Sequence, residues 1–173
     1  YTLSDTLSLH DALPIYHWAI VLLFIAAALS GLAFFHPSLY FFTAFFGGGT
    51  WTRILHPYIG VAMFLCFVLM FMRLWKENVL NDADRAWLDK SGEMFRGNKD
   101  AMPPVGKYNA GQKIVFWLMA ASLLVLLATG ILFWHAWFPD LPILARRIGV
   151  VLHALSAVVL VLSVIVHVYA AIW

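Results

Sequence analysis

At 173 residues the chain is 63% hydrophobic and 12% charged, with a mean hydropathy of +0.85 and a net charge of +2. A water-soluble domain is about half apolar and about a quarter charged, so this composition excludes a soluble globular protein and offers no basic face for nucleic acid. Cys66 is the only cysteine, which excludes a disulfide framework and a cysteine-ligated iron–sulfur cluster within the chain.

In chain order, Tyr1 to Ile15 comes first and carries Ser4, Asp5, Thr6, Ser8, His10 and Asp11. With no basic n-region and no small-residue cleavage site, it is not a signal peptide. Leu9 to Ile15 looks like translated sequencing-adapter read-through. Residues 1–15 are therefore read as a doubtful, non-native segment, His10 is set aside, and the domain is placed at 16–173. Four apolar runs then reach the ~20 residues that a membrane-crossing helix needs: about 17–35, 55–74, 114–134 and 148–173. None has a Lys, Asp or Glu in its interior. The expected fold is an all-α integral membrane four-helix bundle.

The connection from Arg73 to Lys113 holds Arg73, Lys76, Arg85, Lys90, Arg96, Lys99, Lys107 and Lys113. Arg53, Arg146 and Arg147 lie on the opposite side. The positive-inside rule puts the long basic connection and both termini in the cytoplasm, and Trp18, Trp51, Trp75, Trp134, Trp137 and Trp173 crowd the ends of the spans as interfacial anchors. Both outer connections, containing Gly47-Gly48-Gly49 and Pro139 to Pro142, read as short and turn-rich. No convincing internal repeat, nucleotide-binding glycine loop or hydrolase triad is present.

Six further histidines remain: His17, His36, His56, His135, His153 and His167. A lone histidine near a helix end most often bonds to water or a carbonyl, but an ionisable residue within a span is a candidate functional site. His153 and His167 are fourteen residues apart, so at 100° per residue they share one helix face about 21 Å apart. The topology sets His56 level with His153 near the outer side and His17 level with His167 near the inner side. Opposed imidazoles at matched depth are what a six-coordinate b-type heme requires, a site suited to electron transfer. Two hemes are therefore expected. Gly60 and Gly149 stand one turn from His56 and His153, where they leave room either for a porphyrin face or for close helix packing. His36 and His135, beside Pro- or Trp-rich exits, are read as interfacial.

Arg53-Ile54-Leu55-His56-Pro57, Gly106-Lys107-Tyr108-Asn109-Ala110-Gly111-Gln112-Lys113 and Leu152-His153-Ala154 leading to His167 carry a family resemblance. From about His17 to Trp173 the chain resembles the cytochrome b, or gamma, subunit of membrane-bound respiratory formate dehydrogenase. The second segment is the most diagnostic, since four-helix cytochromes b of hydrogenases share the histidine layout but match it less closely. The resemblance implies an outer heme on His56 and His153, an inner heme on His17 and His167, and menaquinone held by Asn109, Gly111, Gln112 and His167. Asn109 and Gln112 also have the spacing of a helix capping box. As partners the resemblance implies an iron–sulfur beta subunit and a catalytic alpha subunit in a bacterial inner membrane, and it allows a higher oligomer of the complex. The family has a basic segment before the first histidine and a basic tail after the fourth helix, and neither is found between residues 1 and 173. Two rivals are the cytochrome b subunit of a membrane-bound hydrogenase or other periplasmic dehydrogenase and, in a different class, a heme-free membrane anchor whose histidines only hydrogen-bond between helices.

Overall fold

The computed structural model describes residues 9–134 and 138–172. His135 and Trp137, together with residues 1–8 and Trp173, lie outside the described residues. Four long helices carry the fold: α1 (Leu9–Phe35), α2 (Gly49–Leu74), α5 (Ala110–Leu132) and α6 (Ile143–Ile172). All four are long and apolar enough to cross a membrane. Two short helices, α3 (Asp82–Asp89) and α4 (Ser91–Phe95), lie in the connection between α2 and α5. In hydrocarbon every backbone polar group must be satisfied within the segment, which makes a helix the form that such apolar runs take.

Each long helix begins four to eight residues before its hydropathic run. α2 starts six residues ahead of Leu55 and α6 five ahead of Ile148. These first turns carry Thr52 and Arg53, or Arg146 and Arg147, which lower hydropathy without opposing a helix. His56 accordingly sits two turns inside α2, and His17 two turns inside α1. Pro57 supplies no N–H to the carbonyl of Arg53, one residue beyond that histidine.

The first short connection has more structure than its glycines suggest. Pro37–Phe46 forms a ten-residue 3₁₀ helix, opened by His36, whose Nδ1 accepts the Ser38 N–H at 3.2 Å. Gly47 (φ 82°) and Gly48 (φ 99°) close it in backbone that a side chain would strain. A sequence scan that counts α-helical turns has no signal for this element.

α1 packs on α2, and α5 on α6; the two hairpins meet along α2 and α5. Their shared buried core is small: Met63 and Phe67 of α2, Leu123 of α5 and Leu160 of α6, with Leu23, Phe24 and Ala27 of α1 packed against it. Leu160 is seven residues from both His153 and His167, and Met63 is seven from His56. The core is therefore a layer at mid-height, about 10 Å from either histidine level.

The long connection is pinned to the start of α5. Asn81 and Asp84 form a capping box on α3, with Asp84 Oδ2 accepting the Asn81 N–H at 2.8 Å. The same oxygen accepts from Lys113 Nζ at 2.7 Å, and Lys113 also donates to the Val79 carbonyl at 3.2 Å. Both side chains are buried, 7% exposed each. Trp117 Nε1 donates to the Asn78 carbonyl at 2.9 Å. Lys113, which in the sequence reads as flanking charge, is thus an internal tie.

Burial by itself would raise the pKa of Asp84, but the hydrogen bonds from Lys113 and the Asn81 N–H outweigh it and hold the carboxyl below the usual carboxylate value. A depressed carboxyl stabilises the fold fully above its unfolded pKa of about 4 and loses that contribution as pH falls through the folded value. Lys113→Met leaves a buried carboxylate unpaired and is expected to cost about 3 kcal/mol. Hydrogen exchange of residues 79–89 should then quicken about a hundredfold. The melting difference between wild type and Asp84→Asn should be full at pH 6 and shrink below about pH 4.

Candidate functional site

The structure brings together the two histidine pairs that the sequence sets at equal depth. The His56 and His153 rings have centroids 6.2 Å apart, tilted by 65°. The His17 and His167 rings have centroids 6.3 Å apart, tilted by 47°. Each pair bridges α6 to a helix of the other hairpin, α2 at one end of the bundle and α1 at the other. No hydrogen bond joins the two rings of either pair among the described residues.

The His56–His153 pair is held by groups that the sequence scan passed over. Ser30 Oγ of α1 lies 2.8 Å from His56 Nδ1, and Thr129 Oγ1 of α5 lies 2.8 Å from His153 Nδ1. Gly31 and Gly130 follow these hydroxyls. A Cβ at Gly31 would stand 3.3 Å from His56 Cε1, and one at Gly130 3.7 Å from His153 Cε1. The missed signal is a repeat at an offset of 99 residues. Ser30-Gly31-Leu32-Ala33-Phe34-Phe35-His36 corresponds to Thr129-Gly130-Ile131-Leu132-Phe133-Trp134-His135. Leu55-His56 and Leu152-His153 echo each other at an offset of 97. The expected absence of an internal repeat does not hold here, since the hairpins match around this one pair.

The His17–His167 pair has no such frame. Its rings are exposed at the helix surface, and His17 also packs edge-on against Trp18 at 5.9 Å. At the two offsets His17 corresponds to Phe116 and His167 to Met70. Phe116 stacks on Phe71 at 5.4 Å, closing the α2–α5 seam where the repeat would otherwise put a second pair.

Asn109 and Gln112 form a full capping box at the start of α5: Asn109 Oδ1 accepts the Gln112 N–H at 2.9 Å, and Gln112 Oε1 accepts the Asn109 N–H at 3.1 Å. Both side-chain oxygens are engaged, which leaves the two NH₂ groups to donate elsewhere. Trp87 covers Gly111, at 3.4 Å from where a Cβ would stand. Beside this turn lies a cavity of about 260 Å³ lined by Asp84, Lys107, Tyr108 and Lys113. His36 serves as the 3₁₀ cap described above, so it takes no place in either pair.

The residues present fit a b-type heme. A metal–imidazole bond is about 2 Å, so with ring radii of about 1 Å two opposed ligands set their centroids about 6 Å apart; both pairs match. Gly60 has nothing within 4 Å of its added Cβ, consistent with room for a flat ring beside His56. Gly149 is different. Its Cβ would stand 3.0 Å from Phe133 Cε1, so this glycine serves close helix packing.

Four apolar spans with imidazoles paired across the bundle define an integral membrane protein of the cytochrome b kind. The comparison with known proteins is specific. The chain belongs to the prokaryotic cytochrome b561 family, which matches residues 11–173. It is similar to the cytochrome b556(Fdn) subunit of nitrate-inducible formate dehydrogenase from Escherichia coli K12, 38% identical over 158 residues, or 91% of this chain and 73% of that protein. The formate dehydrogenase cytochrome b556(fdo) subunit of the same strain is also 38% identical over 158 residues, covering 91% of this chain and 74% of that one. The formate dehydrogenase cytochrome b556 subunit of Haemophilus influenzae is 34% identical over 175 residues, covering 98% of this chain and 73% of that one.

The two glycines should respond differently to substitution. Gly149→Leu drives a side chain into Phe133 and should destabilise the bundle by about 1–3 kcal/mol, read as a lower melting temperature. Gly60→Leu enters open space and should retain helicity by circular dichroism. Its reduced α-band absorbance per protein should nevertheless fall.

Proposed function

We propose that this chain is the di-heme cytochrome b subunit of a formate dehydrogenase, carrying electrons from a periplasmic iron–sulfur subunit to menaquinone at the cytoplasmic side. One observation carries the reading: two imidazole pairs with near-identical spacing stand fourteen residues apart along α6. The relatives' names supply the donor, since all three are subunits of formate dehydrogenase. In this reading His56 and His153 hold the outer b-type heme, and His17 and His167 the inner one. Formate oxidation belongs to the alpha subunit and electron delivery to the beta subunit, both outside this chain. In this reading the chain sits in the bacterial inner membrane with both termini cytoplasmic.

Two hemes bound between these pairs would supply a one-electron relay across the bilayer. His56 with His153 and His17 with His167 would hold them from both sides, which suits electron transfer rather than oxygen activation. The layer of Met63, Phe67, Leu123 and Leu160 separates the two levels with apolar side chains and keeps water from bridging them. At the cytoplasmic end the capping box orients the Asn109 and Gln112 amides at the start of α5, where they would bind the quinone. A heme-free anchor would use its histidines only to hydrogen-bond between helices; the Ser30–His56 and Thr129–His153 bonds do that, but they do not account for two ring pairs matched at 6.2 and 6.3 Å.

Dithionite-reduced spectra of the purified protein should show about two b hemes per chain; a heme-free preparation from heme-replete cells sinks the reading. His153→Ala should abolish one spectral component and His17→Ala the other, whereas loss of the same component in both would break the pairing. Gln112→Glu keeps an acceptor for the Asn109 N–H, and so the cap, but removes the amide donor. Menaquinone reduction should slow at least about tenfold, the loss of roughly one hydrogen bond to the reacting quinone, with heme content unchanged. Wild-type kinetics in that variant would assign Gln112 to capping alone.

A further inference from the structure

The hydroxyls beside the His56–His153 pair have a hydrogen-bond arithmetic that settles which way each bond runs. Ser30 Oγ lies 2.7 Å from the Ala26 carbonyl and 3.0 Å from that of Ala27. Thr129 Oγ1 lies 2.7 Å from the Val125 carbonyl and 3.2 Å from that of Leu126. A hydroxyl has one hydrogen and two lone pairs. A carbonyl can only accept, so the single hydrogen of each hydroxyl is committed to the helix backbone. The oxygen is then an acceptor toward the imidazole, and the Nδ1 of each histidine must carry the proton.

A neutral imidazole protonated at Nδ1 has its lone pair at Nε2. We infer that Ser30 and Thr129 are positioning residues that fix this tautomer in His56 and His153, hold the two rings with Nε2 free for iron, and lower the redox potential of the outer heme. Back-bonding of serine or threonine to the preceding turn is ordinary in membrane helices and would need no histidine. Three further facts point past it. Both hydroxyl–imidazole distances are 2.8 Å, both side chains are buried, and both are followed by a glycine that lets the ring approach the helix. The same device thus occurs twice, once in each hairpin, around one site.

The effect on potential follows from ligand basicity. An Nδ1–H that donates a hydrogen bond gives its ring more electron density at Nε2, and a more basic ligand stabilises ferric over ferrous iron. The His17–His167 pair has no ring hydrogen bond among the described residues. The two sites therefore differ in a way that the chain itself builds, with the outer site biased toward giving its electron onward.

The inference rests on the outer-heme reading, and the experiment separates the two. Ser30→Ala and Thr129→Val each remove one acceptor without adding bulk, and Ser30→Thr and Thr129→Ser restore a hydroxyl. Potentiometric titration of the full chain, purified with its heme, follows both components by their α-bands. In each acceptor-deleted variant the component assigned by His153→Ala should shift up. At fixed ambient potential its ferric-to-ferrous ratio should fall by up to about tenfold, equivalent to about 59 mV for one electron. The other component should stay in place, and the hydroxyl-restoring variants should return to the wild-type value. Loss of the outer heme in Ser30→Ala, reversed by Ser30→Thr, also supports the role. Unchanged potentials in both deletions with two hemes per chain, or a shift that the restored hydroxyl does not reverse, would overturn it. Two hemes per chain persisting in both His56→Ala and His153→Ala would instead sink the outer-heme reading.

Discussion

Imidazoles inside an apolar bundle make a demand that the rest of the structure answers. Each ring has two nitrogens, and a polar atom left without a partner in hydrocarbon costs several kcal/mol, about 2–7 by transfer measurements. Each histidine on α6 faces another at the same height on a different helix, but the rings of a pair are not hydrogen-bonded to each other, so their nitrogens call for other partners. For His56 and His153, Ser30 and Thr129 meet the Nδ1 atoms. The small buried core, a single layer between the levels, follows too: packing has to stop where the rings face each other.

The two ends of the bundle meet this demand unequally. Around His56 and His153 the hairpins α1–α2 and α5–α6 present matching residues, down to the glycine behind each ring. At the other end the match fails, with Phe116 and Met70 standing at the positions that correspond to His17 and His167. What replaces symmetry there is the tie between the long connection and α5. Lys113, Asp84, Asn81 and Trp117 bind residues 78–84 to the first two turns of that helix. One end is framed by residues repeated in the two hairpins; at the other, residues outside the spans are tied to the start of α5.

The spans and the four paired histidines were legible in the sequence because each rests on a period or a count: apolar length, the distribution of basic residues, and fourteen residues along one helix. The capping box at Asn109 and Gln112 was legible for the same reason. Lys113 was not, since a lysine at the edge of an apolar run looks the same whether it points to headgroups or folds back onto Asp84. Ser30 and Thr129 were hidden by their ordinariness, as small polar residues are common in membrane helices; only with His56 and His153 placed beside them does the repeat acquire meaning. The 3₁₀ helix Pro37–Phe46 lacks any period in which to read it. Gly60 and Gly149, alike in the sequence, part company once Phe133 is seen against one and nothing against the other.

The apolar layer at mid-height also behaves as a dielectric. The histidine levels are separated by about 21 Å of helix, against about 30 Å of hydrocarbon. Roughly two-thirds of any membrane voltage therefore drops between the two histidine levels, with Met63, Phe67, Leu123 and Leu160 at the middle of that distance. An elementary charge crossing the whole membrane changes in energy by about 2.3 kcal/mol per 100 mV. About 1.5 kcal/mol per 100 mV would then be spent between the two levels. Charge moving between them would thereby be an electrogenic event, and the fourteen residues from His153 to His167 set the distance over which it happens.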